Sequence, residues 1–106
     1  MTRLQRIFVS LTLLGGATAS AQTIVVDQKD RKFSKTEITI KPGQTINFQN
    51  SDEVAHNVFS VTPSLEFEIH RQAPGEKSSI SFAKEGIVEV RCSIHPRMKL
   101  MVTVKK

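Results

Sequence analysis

From Thr23 onward the chain is written in two-residue alternation, and that period leaves little choice of fold. In Thr36 to Lys41, Ile38 and Ile40 share one face while Glu37, Thr39 and Lys41 take the other. Ile46 and Phe48 repeat the pattern in Thr45 to Gln49. Val88, Val90 and Cys92 repeat it after Gly86, against Glu89 and Arg91. Side chains of a strand point alternately to opposite faces, so each run reads as a strand with one face buried. The runs are short and are cut by turn chemistry at Pro42-Gly43, Thr62-Pro63-Ser64 and Ala73-Pro74-Gly75-Glu76. Thr23–Asp27, Leu65–His70, Lys77–Phe82 and Lys99–Lys105 complete the set, with His56 and Asn57 opening a further strand through Val61 and Phe33 plugging into the core. No stretch has the spacing of a long amphipathic helix. Roughly seven or eight short strands in one domain, without repeat or linker, predict an all-β sandwich or barrel.

Residues 1–21 stand apart. Arg3 and Arg6 form a basic start, Ile7 to Leu14 an apolar centre, and Ala19-Ser20-Ala21 a small-residue exit. This is the layout of a secretory signal peptide, and its apolar centre falls short of the ~20 residues that span a bilayer. The expectation is cleavage after about Ala21, export to the periplasm without stable membrane insertion, and one domain over residues 22–106. Two of the 15 Lys and Arg leave with the leader, so 13 basic residues face 10 acidic ones, a net charge of +3. That balance favours acidic partners only mildly. The basic residues form no block and have no aromatic interleaving, so nucleic acid is not an expected partner.

The chain has one cysteine, Cys92. In an oxidising compartment a lone thiol pairs between chains, stays reactive, is held by a metal, or is buried and inert. Its neighbours favour the metal: His95 and Met98 follow in the loop Cys92-Ser93-Ile94-His95-Pro96-Arg97-Met98, and His56 lies upstream at the end of a polar loop. A thiolate, two imidazoles and a thioether are the donors of an electron-transfer copper site, where sulfur favours Cu(I) and imidazole suits both oxidation states. The phase of Gly86 to Cys92 turns Cys92 inward with Val88 and Val90. Met98 shares a phase with Leu100, Val102 and Val104, whereas its competitor Met101 falls on the opposite face.

The order Thr45-Ile46-Asn47-Phe48-Gln49-Asn50, then His56-Asn57-Val58, then Val90-Arg91-Cys92-Ser93-Ile94-His95 before a Met resembles the cupredoxins, the blue-copper proteins, and most of all their plastocyanin and amicyanin group. The similarity runs from about Phe33 to Val104. It implies a Greek-key β-sandwich holding one type 1 copper, with His56, Cys92, His95 and Met98 as metal ligands. The Cys-x-x-His-x-x-Met spacing with Pro96 after the histidine is the short loop of the amicyanin type. Asn57 matches the asparagine that ties the upstream histidine to the cysteine loop, and Ser93 is placed as its partner. The position two before the cysteine, aromatic in many relatives, is Val90 here.

The resemblance further implies a one-electron carrier, periplasmic on the strength of the leader. A short basic single domain is expected to be a monomer, and a site with no open position and no spare general base is expected not to be an enzyme. The carrier would exchange electrons with redox partner proteins through His95, with Pro63 and Pro96 forming an apolar rim. A periplasmic copper-tolerance or delivery protein would use the same four ligands. Three residues remain outside this scheme: His70 has no companion at ligand spacing, and Asp52 with Glu53 reads as a solvated pair in a loop, far short of a calcium site.

Overall fold

The computed structural model describes residues 22–106, and the expected leader lies outside that range. Nine strands form two sheets, and among the described residues there is no helix. In chain order the strands are β1 (Ile24–Lys29), β2 (Lys32–Phe33), β3 (Glu37–Ile40), β4 (Thr45–Asn50), β5 (His56–Ser60), β6 (Phe67–Gln72), β7 (Lys77–Ser81), β8 (Gly86–Arg91) and β9 (Lys99–Val104). One sheet runs β2-β1-β4-β7 and the other β3-β9-β8-β5-β6. The all-β sandwich expected from the alternation is present. The one extra strand is the two-residue β2, which carries the plug residue Phe33.

Strand phase decides what fills the space between the sheets. Val26, Ile46, Phe48, Val58, Val88, Val90, Leu100 and Val102 are fully buried, and all sit at the inward positions of their strands. Phe48 is the hub: Phe33 meets it edge-on at 6.3 Å and Phe67 stacks on it at 6.1 Å between ring centroids. The turns form where Pro-Gly pairs demand them. Gln44 N donates to Lys41 O across Pro42-Gly43, and Glu76 N donates to Ala73 O across Pro74-Gly75. Gly43 and Gly75 have φ of +86° and +91°, the left-handed geometry that follows a proline in such turns.

Two features of the backbone prepare the site. β5 and β6 pair His56 with Gln72 but Val58 with Ile69, so His70 and Arg71 of β6 lie opposite the single residue Asn57 of β5. Such a bulge bends the strand locally beside His56. The β1–β2 hairpin turns through Asp30 and Arg31, both with positive φ (53° and 57°). A two-residue hairpin turn requires that geometry, which is unfavourable for a residue such as arginine. The Arg31 amide is held there by Asp52, whose carboxylate accepts its N–H at 2.8 Å.

Candidate metal centre

His56 opens β5 in the inward phase and is completely buried. Cys92 ends the inward series Val88, Val90, Cys92 and is 1% exposed. The chain then turns sharply: Met98 N donates to His95 O at 3.0 Å across Pro96-Arg97, the proline supplying the fixed φ that the second position of such a turn favours. After that turn Met98 is buried, one residue before β9 begins. Met101 is half-buried on the other face.

The three elements bring three donors together. Nδ1 of His56 lies 3.7 Å from Cys92 Sγ and 3.1 Å from His95 Nδ1, and one donor atom from each of the three residues lies within 4.8 Å of the others. First-row metal bonds of about 2.0–2.3 Å put adjacent donors roughly 3–4 Å apart, so these separations fit one small ion. The donor set also fits in kind: two imidazoles and a thiolate suit copper, with His56 and Cys92 buried and His95 partly exposed. Burial, helped by the nearby His56 ring and the Arg31 charge, holds His95 below the ordinary histidine value. Its ring is therefore neutral near pH 7, as a ligand must be.

The far side of His56 is also occupied. Its Nε2 lies 2.9 Å from Oδ2 of Asp52, which leaves Nδ1 for the metal side. Asp52 is buried, not solvated, which corrects the sequence reading of that loop. Besides the His56 ring it accepts the amides of Arg31 and Glu53, and these bonds, His56 first, hold its carboxyl well below the usual range. Asn50 braces the same loop: its Nδ2 donates to Val54 O and Gln72 O, and its Oδ1 accepts the Asp52 amide. Gln72 in turn takes a 2.7 Å bond from the buried Gln28. Asn50 and Gln28 continue the inward phases of Ile46 and Phe48 and of Val26, but no periodic pattern marks Asp52 as interior. The Asp52-to-His56 spacing of four was the only available hint, and in a loop it carries no geometry.

The cysteine loop is braced differently. The expected Asn57–Ser93 link is present as a reciprocal pair: Asn57 Nδ2 donates to Ser93 Oγ at 2.7 Å, and Ser93 N donates to Asn57 Oδ1 at 2.8 Å. Arg91, which the sequence did not single out, reaches from β8 to donate to Pro96 O at 2.8 Å and is paired with Glu89. Pro96 lies beside His95, but Pro63 does not join it. It follows Thr62, whose hydroxyl accepts the Glu89 amide, so it sits back along β8 from Cys92.

Residues 20–105 match the copper binding proteins of the plastocyanin/azurin family. The chain belongs to that family. Its cofactor, in keeping with the donor set, is one type 1 copper ion. Among characterised cupredoxins, amicyanin of Paracoccus denitrificans is 31% identical over 86 residues, covering 77% of this chain and 65% of that protein. Amicyanin of Paracoccus versutus is 26% identical over 95 residues, covering 87% and 72%. Among solved structures, a reduced Cu(I) form of an amicyanin mutant superposes with a TM-score of 0.73 at 27% identity, covering 82% of this chain and 86% of that one. The fold also matches a quarter of a copper-containing nitrite reductase from Thermus scotoductus, at a TM-score of 0.77 and 24% identity.

Proposed function

We propose that this protein is an exported, periplasmic one-electron carrier in which His56, Cys92, His95 and Met98 hold a single copper ion. The observation that carries this reading is the cluster of His56, Cys92 and His95, with one donor atom from each within 4.8 Å of the others, and Met98 buried at the end of the same loop. Copper bound there supplies a one-electron couple between Cu(I) and Cu(II). The chain's part is to hold its donors still. Asp52 fixes the His56 ring from behind, and Asn57 and Ser93 fix the loop after Cys92. Donors that do not move cost little reorganisation when an electron arrives or leaves. His95 alone among the three donors is partly exposed, so it is the route by which an electron reaches the surface.

The same arrangement argues against catalysis. Asp52 is the acid nearest the triad, and its oxygens are committed to His56 and two amides, so no general base stands free there. Amicyanin has been solved in both a reduced Cu(I) and an oxidised form, which favours a carrier over a copper-delivery protein.

The test is the visible spectrum of residues 22–106 after one equivalent of Cu(II), followed by cycles of ascorbate and hexacyanoferrate(III). An intense thiolate-to-copper band should appear, bleach and return, and Cys92→Ser should lack it. Reversible cycling with slow copper loss to a Cu(I) chelator supports the carrier, and rapid loss supports delivery. Weak copper binding without the band sinks both. Sequencing the N-terminus of the exported protein checks cleavage after Ala21.

A further inference from the structure

The end of the sandwich that carries the donor cluster is not filled as the rest is. Around Phe48 the gap between the sheets is packed with rings, Phe33, Phe67 and Phe82 among them. One inward position further along β1, two primary amides take their place. Gln28 of β1 is fully buried and Gln72 of β6 is 2% exposed. Gln28 Nε2 donates to Gln72 Oε1 at 2.7 Å and to Gln49 O at 3.1 Å, and Gln72 Nε2 donates to Phe48 O at 3.1 Å. β1 and β4 belong to one sheet and β6 to the other, so these bonds tie the sheets together.

Their place in the ladders is specific. Gln28 pairs with Asn50, the last residue of β4, and Gln72 pairs with His56, the first residue of β5. The loop from Asn50 to His56 crosses from one sheet to the other, and the two glutamines stand beside its two ends. Asp52 lies in that loop and bonds to both sheets, to the Arg31 amide of the β1–β2 hairpin at 2.8 Å and to His56 Nε2 at 2.9 Å. Both bonds hold only while the sheets keep one spacing at this end.

Stability does not account for the pair. Replacing both partners of a buried hydrogen bond by apolar groups of the same shape is often neutral or stabilising. Here a cost also remains, because Gln28 Oε1 is buried with no donor among the described residues. What the amides supply and aliphatic side chains do not is direction. A hydrogen bond fixes a distance and an angle, whereas apolar contact is non-directional and lets two sheets slide. We infer that Gln28 and Gln72 are positioning residues of the metal centre, their amide bond clamping the sheets at the spacing that keeps Asp52 behind the His56 ring. Their amides bond to each other and to the β4 backbone, so they act on the ring through Asp52. The clamp concerns the geometry of the centre and holds whether the copper carries electrons or is delivered.

The test compares Gln28→Met, Gln72→Met and the double variant in the purified protein. Methionine keeps the length of the side chain and removes its hydrogen bonds. Each single variant leaves the other amide buried without its partner, so the metal-free protein should melt about 5 °C lower or more. The double variant should recover most of that loss. Two other readouts should not recover with it. The His56 Nε2 proton, followed by nitrogen-15 spectra of the metal-free protein, should exchange with water about fivefold faster in the double variant. Cu(I) should be held about tenfold less tightly against a chelator. Val104→Ala, buried at the far end of β9, should lower the melting temperature and leave both readouts unchanged. If the double variant does not fold, Gln28→Met alone, which keeps the Gln72 bond to Phe48 O, should still quicken the exchange about twofold. Unchanged exchange and copper affinity in the variants would overturn the inference. So would equal losses in Val104→Ala, which would make the pair ordinary packing. The two readings fail separately. The proton readout needs no copper, so a missing copper band ends the carrier and leaves the clamp standing, while reversible colour with an unaltered His56 proton in the variants ends the clamp.

Discussion

His56 and His95 reach the same point through loops built on opposite plans. The β4–β5 loop before His56 is fastened by side chains that are themselves buried: Asn50 to Val54 and Gln72, and Asp52 to Arg31, Glu53 and His56. The β8–β9 loop around His95 is fastened from outside, by the half-buried Asn57 and Arg91 acting on Ser93 and Pro96. One histidine is an anchor in a closed polar core; the other is a port in a loop whose outer face is open. The proposed carrier, which would have to keep its geometry and still meet a partner, needs both plans, and the sandwich supplies them by drawing one histidine from a strand and the other from a loop.

The sharpest way to break this comparison is to remove each ring in turn. In His95→Gly the missing ring of a partly exposed residue leaves a gap that opens to solvent, so added imidazole should enter and restore the thiolate-to-copper band. In His56→Gly the gap is closed to solvent and backed by the Asp52 carboxylate, so imidazole should not restore it. Absorption with and without imidazole reads the result. Equal rescue of both variants would show that the β4–β5 loop is no more closed than the other.

Asn57 is the one side chain that joins the two plans, and its loss should have the next largest effect. Asn57→Ala removes both bonds to Ser93 and frees the cysteine loop from β5. Removing a partner that orients metal ligands typically weakens metal binding by about 10–100-fold, and a half-buried position points to the lower end. Competition with a Cu(I) chelator measures it. The unoccupied comparison is Ser93→Ala, which keeps the backbone bond to Asn57 Oδ1 and should lose less.

Asp52 tests the anchor itself. A carboxylate behind the His56 ring stabilises the more positive copper state, so Asp52→Asn should raise the reduction potential. A unit charge acting across one imidazole ring at an effective dielectric near 20 corresponds to roughly 50–100 mV. Redox titration against a dye of known potential follows the shift. A fall in potential, or no change, would mean that the carboxylate serves the loop backbone alone.

How much of this was legible beforehand follows from which physical rule each residue obeys. Cys92, Met98 and the core beneath them obey a period of two, so their inward phase could be read from Val88, Val90 and Leu100 without a structure. Pro42-Gly43 and Pro74-Gly75 obey turn chemistry and formed where expected. Gln28 follows the inward phase of Val26, but Asp52 and Gln72 obey no such pattern, because a buried polar side chain is stabilised by partners far away in sequence; Gln28 meets Gln72 across 44 residues. A solvated acid and a buried one look alike in a string of letters, which is why Asp52 read as surface. Pro63 failed for a related reason. Its neighbour Thr62 pairs with Glu89 and not with the cysteine loop, and strand register of that kind is set by tertiary packing.

The smallest expected effect is the most specific probe of the outer bracing. Arg91 donates one bond to Glu89 on its own strand and one to Pro96 O in the ligand loop, with its side chain 37% exposed. Arg91→Met keeps much of the side chain's apolar contact and removes both bonds. Exposure discounts the charged hydrogen bonds to about 1 kcal/mol, or a fall of about 5 °C in the melting temperature of a domain this size. The informative quantity is how that fall depends on copper. If Arg91 merely ties two surface groups together, the fall is the same with and without the metal. If it holds Pro96 so that His95 stands ready, the variant also binds copper less tightly, and the melting temperatures differ more in the loaded protein than in the metal-free one. The second outcome is expected, because the Pro96 carbonyl lies one residue beyond His95, inside the turn that carries the ring.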